Sequence, residues 1–268
     1  MADVMKGIDI SSWQTGLDLS RIAREIDFCI VKCSEGVGLA DSRYKAFRSE
    51  CERLGILWGF YHFARNNKPE ADADYFVKTA GDAFGKGIPV LDIEDTRIKD
   101  WGEYAQRFCD RVHAVTGIYP MIYTSAAFLK EFAKTGLPKT CALWVAGYPR
   151  KYRTFEDLPS FEVPYSIYPW DSCAVWQFTG NGTVRGAGMD LDLDVAYISR
   201  DAWLALARGE SGGSDAPKTH GENIVAAAKV ITGAYGNGAE RFKALEADGY
   251  DAGEVQRLVN AMLSAVAR

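Results

Sequence analysis

Eight short β-rich runs, most of them separated by amphipathic stretches of helical period, constrain this chain more than any other feature. The runs are VMKGIDIS, DFCIVKCSE, ILWGFYHFA, IPVLDIED, YPMIYTS, ALWVAGY, CAVWQFTG and MDLDLDVAYI. Between them lie LSRIAREI, SRYKAFRSECERLG, EADADYFVKTAGDA, WGEYAQRFCDRVHAVTG and AAFLKEFAKTG, which read as helices. Such alternation predicts a parallel sheet flanked by helices. Eight strands within roughly 200 residues favour an α/β fold of the irregular (β/α)8-like, TIM-type barrel class over an open sheet. No GxGxxG follows the first strand, which weakens a dinucleotide-binding reading. The segment from Pro149 to Pro169 shows no clear helix, so the barrel is expected to lose its regular crossovers there.

Three regions are expected: a barrel over 1–207, a linker over 208–221 and a small all-α three-helix bundle over 222–268. The linker begins RGESGGSDAPKTHG, rich in Gly and Ser and without apolar periodicity. The bundle's apolar faces are read as Ile224, Val225, Val230 and Ile231, then Phe242 and Leu245, then Val255, Leu258, Val259 and Leu263. The net charge of −5 comes without a basic stripe, which argues against a nucleic-acid partner. No apolar run reaches the roughly 18 residues that span a bilayer, and the N-terminus has no signal-peptide core. Synthesis in the cytosol, without a membrane partner, is therefore expected. Cys29, Cys33, Cys51, Cys109, Cys141 and Cys173 fall in apolar runs without a CxxC pair and are expected to be reduced, buried thiols. The scattered histidines His62, His113 and His220 give no metal site, and no cofactor is implied.

The chemistry is concentrated in acids at strand ends. Asp92 and Glu94 stand two apart in VLDIED, so a strand would aim both at one place about 6–7 Å apart. Two such carboxyls repel when both are ionised, so one is expected to keep its proton, as a general acid must. Asp9 lies on the first strand, and Asp190, Asp192 and Asp194 alternate along the last. If the barrel closes, the first and last strands meet and Asp9 comes near this trio. Carboxyls converging on one barrel mouth form a glycosidase pattern. Aromatics accompany them: Tyr61, Tyr123, Trp144, Tyr148 and Trp176 could stack on the C–H faces of sugars, while Trp58 reads as packing.

In order along the chain, GIDISSWQ, VKCSEG, GFYHFAR, VLDIED, YPMIYTS, LWVAGY, VWQFTGNG and DLDLDVAY resemble the family 25 glycoside hydrolases, the Chalaropsis-type lysozymes found in many phage endolysins. The resemblance runs from about Gly7 to Trp203. It implies a flattened, irregular β/α barrel that hydrolyses the β-1,4 bond from N-acetylmuramic acid to N-acetylglucosamine in peptidoglycan. By the same resemblance Glu94 is the general acid, Asp92 its partner carboxylate and Asp9 the N-terminal aspartate of the site. Asp192 is the last-strand aspartate, with Asp190 the competing register. Lys32, Tyr61 and Tyr123 fall where the family lines its groove; Glu35, Trp144, Trp176 and Asp190 are counted with them. The family's KATEG is here KCSEG, which keeps Lys32 and Glu35.

The tail, AKVITGAYGNGAERFKALEADGYDAGEVQRLVN, resembles the type-7 cell-wall-binding repeat of some phage lysozymes. That implies peptidoglycan recognition, with Tyr235, Asn237, Arg241 and Tyr250 as contacts. One copy is visible, so self-association is a route to avidity. A phage-type lysozyme without a signal segment implies action on the wall after holin release or lysis. Two other classes stay open from the residues alone: a non-catalytic glycan binder, and a hydrolase using a divalent cation held in the acidic mouth.

Overall fold

A computed structural model describes residues 4–158, 162–210 and 220–266. The chain divides into two compact units, 1–209 and 210–268. Most of the expected 208–221 linker lies outside the described residues.

In the first unit the elements run β1 (Met5–Ile10), β2 (Phe28–Glu35), β3 (Leu39–Ala40), α1 (Tyr44–Leu54), β4 (Leu57–Phe63), α2 (Pro69–Ala80), β5 (Ile88–Asp92) and α3 (Trp101–Thr116). They continue as β6 (Met121–Ser125), α4 (Leu137–Thr140), β7 (Leu143–Ala146), β8 (Val175–Thr183), β9 (Asp190–Ala196) and α5 (Arg200–Arg208). Eight strands close a barrel in the order β1-β9-β8-β7-β6-β5-β4-β2, with β2 returning to β1; β3 is a two-residue extension on β2. Seven barrel strands are parallel in sequence. β9 is the exception, running antiparallel to both β8 and β1.

The period-2 alternation of the strands divides the apolar residues into two layers. Phe28, Ile30, Ile88, Val90, Met121, Tyr123, Trp144 and Val175 fill the inside. Ile8, Cys29, Val31, Leu91, Ile122, Val145, Leu191, Leu193 and Val195 join the outer core, which the helices α1 to α3 also enter. Gly7 is required by the inner layer: a Cβ there would lie 2.3 Å from the Phe28 ring. The helix α5, absent from the helices read in the sequence, adds Trp203 and Ala207 to the inner cluster. The Trp203 ring lies 4.7 Å from that of Phe28, and its indole N–H donates to the Trp58 carbonyl at 3.2 Å. Phe28 and Trp58 are at the start of their strands, so α5 closes the barrel at that end and leaves the other open.

Two expected helices are instead 3-10 turns, Leu19–Arg21 and Ala126–Phe132. Their buried residues explain it. Leu19 with Ile22, and Leu129 with Phe132, are spaced three apart, which the tighter turn eclipses on one side. Between Tyr148 and Trp170 the described residues hold only a turn at Phe155–Asp157, in keeping with the missing crossover. All six cysteines are free and buried, and burial pushes the Cys33 and Cys173 thiols up to about 12.

The second unit is three helices, α6 (His220–Ile231), α7 (Gly238–Ala247) and α8 (Ala252–Val266). Their core is Ala226, Ala227, Val230, Leu245, Ala252, Val255 and Val259, with Leu258 packed against it. Ile224, Val225, Ile231, Phe242 and Leu263, read in the sequence as part of the apolar faces, are exposed. Small alanines take the inner positions on α6, so the helices approach closely and displace the larger residues outward.

Candidate active site

The open end of the barrel is built from the C-terminal ends of the parallel strands, and from β9 by its first half because that strand runs backward. Asp9, the next-to-last residue of β1, is directly opposite Asp192, while Asp194 is opposite Gly7 one step deeper. Asp92 is the last residue of β5. The two residues after it keep the strand's alternation. Ile93 N–H donates to the Tyr123 carbonyl at 3.0 Å, and Thr124 Oγ1 donates to the Ile93 carbonyl at 2.9 Å. Ile93 is buried in the outer core, which turns Glu94 to the same side as Asp92. Asp92 is buried; Glu94 stands exposed in the mouth.

Electrostatics tie these acids together. Burial, and then the neighbouring Glu94 charge, hold the Asp92 carboxyl well above the usual range, and the same pair of causes pushes Asp192 up to about 6. Burial raises Asp9 most, followed by Asp192 and Asp194. Asp194 is raised by burial, partly offset by its hydrogen bond from Trp144. Glu94 is raised by its loss of solvent inside the mouth, and Lys32 and Arg65 hold that rise back. Five carboxyls thus converge, each favouring its proton more than it would in water.

A hydrogen-bond chain orients the acids. Gln177 Nε2 donates to Asp9 Oδ2 at 2.6 Å, and Gln177 Oε1 accepts from Tyr123 at 2.9 Å and Tyr148 at 2.5 Å. Trp144 Nε1 donates to Asp194 Oδ1 at 2.8 Å. Asp92 Oδ1, by contrast, is buried without a partner. Among the described residues no group of three or more His, Cys, Asp or Glu side chains is arranged to hold a metal ion.

Of the other residues singled out, Lys32 is buried with Nζ 2.6 Å from Glu35 Oε2, and Glu35 also binds Arg65. Burial would raise the Glu35 carboxyl, but these two cations outweigh it and hold it below the usual range. Tyr61 is half-buried, edge-on to Trp144 at 6.5 Å. Asp190 stays at the exposed rim, paired with Arg153 at 2.8 Å. Two aromatics are not where a stacking role needs them. Trp176 is 1% exposed, faces the outer core and donates to the Gly147 carbonyl; the adjacent Gln177 takes the inward position. Trp144 is 1% exposed and lies beneath the mouth, its ring 4.4 Å from that of Tyr123, so it supports the floor and offers no face to a sugar.

The sequence places Asp194 among the converging acids without a role of its own and gives no site role to Gln177 or Trp13. A lone glutamine inside the apolar VWQF run was a usable signal for Gln177. Trp13, in the turn directly after β1, is 88% exposed at the rim, a ring face open to a ligand.

In the second unit Tyr235 donates to Asp248 at 2.9 Å and meets Tyr250 edge-on at 6.2 Å. Arg241 donates to the Gly236 carbonyl, Asn237 Oδ1 and Gln256 Oε1, clamping the loop before α7 onto α8.

Because Asp192 in the folded protein protonates near 6 instead of 3.8, it favours the fold at low pH, and that contribution is lost as pH rises from about 4 through about 6. Asp192→Asn should therefore flatten the melting temperature across that window and raise it at pH 7–8. Differential scanning calorimetry from pH 4 to 8 checks this; a lower neutral-pH melting temperature than the parent's would contradict it.

A closed β/α barrel whose mouth gathers several carboxyls, among them exposed Glu94 with its pKa raised beside buried Asp92, has the makeup of a hydrolase of glycosidic bonds. The comparison with known proteins is more specific. The chain belongs to the glycosyl hydrolases family 25, whose family model matches residues 8–187, and residues 225–263 match the CW_7 repeat. It is 29% identical over 223 residues to lysozyme M1 of Streptomyces globisporus, covering 76% of this chain and 71% of that protein. It is 27% identical over 267 residues to the lysozyme of Streptococcus phage Cp-7, covering 94% of this chain and 68% of that one. The crystal structure of the bacterial lysozyme from Streptomyces coelicolor matches with a TM-score of 0.66 at 25% identity, over 78% of this chain and 99% of that one.

Proposed function

We propose that this chain is a muramidase that cleaves the β-1,4 bond between N-acetylmuramic acid and N-acetylglucosamine in bacterial peptidoglycan, in the manner of a phage endolysin. The observation that carries this is the pairing of exposed Glu94, its proton favoured, with buried Asp92 on one side of the mouth. Glu94 donates its proton to the leaving glycosidic oxygen. The unpartnered Asp92 Oδ1 supports attack by the substrate's own acetamido group, because a buried acceptor with nothing to accept is matched by that group's N–H. Asp92 then orients the amide, and Asp192, raised only to about 6, supplies negative charge facing the positive charge that develops on the sugar; water then opens the adduct and returns a proton to Glu94. Trp13 at the rim gives the glycan a ring to stack on. Mass spectrometry of fragments released from purified walls tests the bond assignment: reducing muramic acid ends support it, and reducing glucosamine ends or freed amino acids refute it. Retained anomeric configuration by NMR supports the acetamido route; inversion replaces it with attack by water on the Asp192 side.

Lys32 and Arg65 restrain the rise of the Glu94 pKa, so they also set the pH at which the acid fails. Lys32→Met should move the alkaline limb of the kcat/KM profile to higher pH. A limb that stays in place or moves down would remove Lys32 from this role.

The repeat in the second unit holds the enzyme on the wall through Tyr235, Asn237, Arg241 and Tyr250, and association of copies adds avidity. Action follows release to the wall by a holin or by lysis. Removing residues 210–268 should leave hydrolysis of soluble glycan fragments largely intact and weaken co-sedimentation with whole walls. Undiminished sedimentation would count against the tail.

A further inference from the structure

Beside the acidic mouth lies a pocket of about 550 Å³ whose wall is richer in N–H donors. It is lined by Glu35, the turn Gly36–Leu39, Arg65, Asn66, Asn67 and Arg97. These segments follow β2, β4 and β5, which are neighbours in the barrel, so the pocket continues the mouth sideways. Arg65 joins the two: its charge acts on Glu94 and Asp92, and its guanidinium binds Glu35 and approaches Asp95 at 3.6 Å.

The pocket is held in shape from below. Buried Asp72 accepts the Arg65 backbone N–H at 3.2 Å, Asn67 Nδ2 at 2.9 Å and the Tyr104 hydroxyl at 2.5 Å, which keeps the 65–67 loop in place without any ligand. Gly36 N–H donates to the Phe63 carbonyl at 3.0 Å and fastens the opposite wall. Two guanidinium groups border the pocket, Arg65 bound to Glu35 and Arg97 to Asp95, so each is held in place by a carboxylate. Arg97 is 63% exposed, and Asp95 is its only ion-pair partner among the described residues. Val37, 56% exposed, adds an apolar edge to the same wall.

We infer that this pocket binds the stem peptide of the substrate, a short peptide bearing free carboxylates and small apolar side chains carried on the muramic acid lactyl group. The inference rests on the muramidase reading. Guanidinium and amide N–H groups match carboxylates and peptide carbonyls, the exposed valine matches alanine methyls, and Arg65 in the pocket wall also acts on the acid Glu94. The site thus selects glycan that still carries its peptides.

The test compares kcat/KM on peptide-bearing glycan strands with that on the same strands stripped of peptide by an amidase. Arg97→Glu should lower the ratio of the two at least about fivefold, and Val37→Asp, at an independent exposed position, should lower it in the same direction. Ratios within twofold of the parent's for both variants overturn the pocket's role while leaving the muramidase reading intact. A parent protein that cleaves neither glycan defeats the muramidase reading and the pocket's role with it.

Discussion

Glu94→Gln is expected to slow hydrolysis of purified peptidoglycan by about 10²- to 10⁴-fold, the range for losing a positioned general acid. Gln keeps the shape of the side chain and removes the proton that the leaving oxygen needs. No structural cost accompanies the change. Glu94 is exposed, its side chain makes no hydrogen bond to another of the described residues, and its raised pKa means that ionisation in the mouth opposes folding. Stability linked to a raised carboxyl is present below the unfolded pKa and lost as pH rises, so the neutral variant should melt no lower than the parent at neutral pH. Turbidity loss on walls, with calorimetry alongside, checks both halves. Parent-like activity would remove Glu94 from the proton-donor role, and activity lost together with the melting transition would mean that the side chain serves the fold.

The largest effect on stability is expected from Trp203→Ala, about 3–5 kcal/mol. Trp203 is fully buried against Phe28, and its N–H satisfies the Trp58 carbonyl. Truncation leaves a cavity at the closed end of the barrel and an acceptor without a partner. For a unit of roughly 200 residues this corresponds to a fall of about 6–20 °C in melting temperature. Urea unfolding followed by tryptophan fluorescence measures it. A loss below about 1 kcal/mol would show that α5 is not needed to close the barrel.

The pairing of Asp92 and Glu94 was legible because it is local. Strand alternation needs two residues and no partner, and Ile93 between them marks the buried side. The thiols and the three-helix tail were legible for the same reason, since apolar runs and helical spacing record burial directly. Trp176 and Gln177 show where this stops. Both are in one strand, and a register irregularity follows Gln177 on the β9 side, so alternation counted along the run alone does not reveal which of the two faces inward. Size misled as well: a tryptophan suggests a sugar platform, yet this one fills the outer core while a smaller amide orders Asp9 in the mouth. The ends of the apolar faces on α6 and α8 were over-read because periodicity marks a face, and the width of that face depends on how closely small alanines let the helices approach.

What the sequence by itself determined has short range: the eight strands in order, helices α1 to α3, the acidic pair, the linker composition and the repeat at the end, while α5 and two turns taken for helices escaped it. The direction of β9 was decided only in three dimensions. Three aspartates alternate along it, and nothing local distinguishes them. Once the strand turns back against β8 and closes on β1, Asp192 comes opposite Asp9, Asp194 drops one step deeper onto Trp144, and Asp190 is left outside with Arg153. Strand direction and register are set by closing the barrel as a whole, because every backbone hydrogen bond and both apolar layers must be satisfied at once.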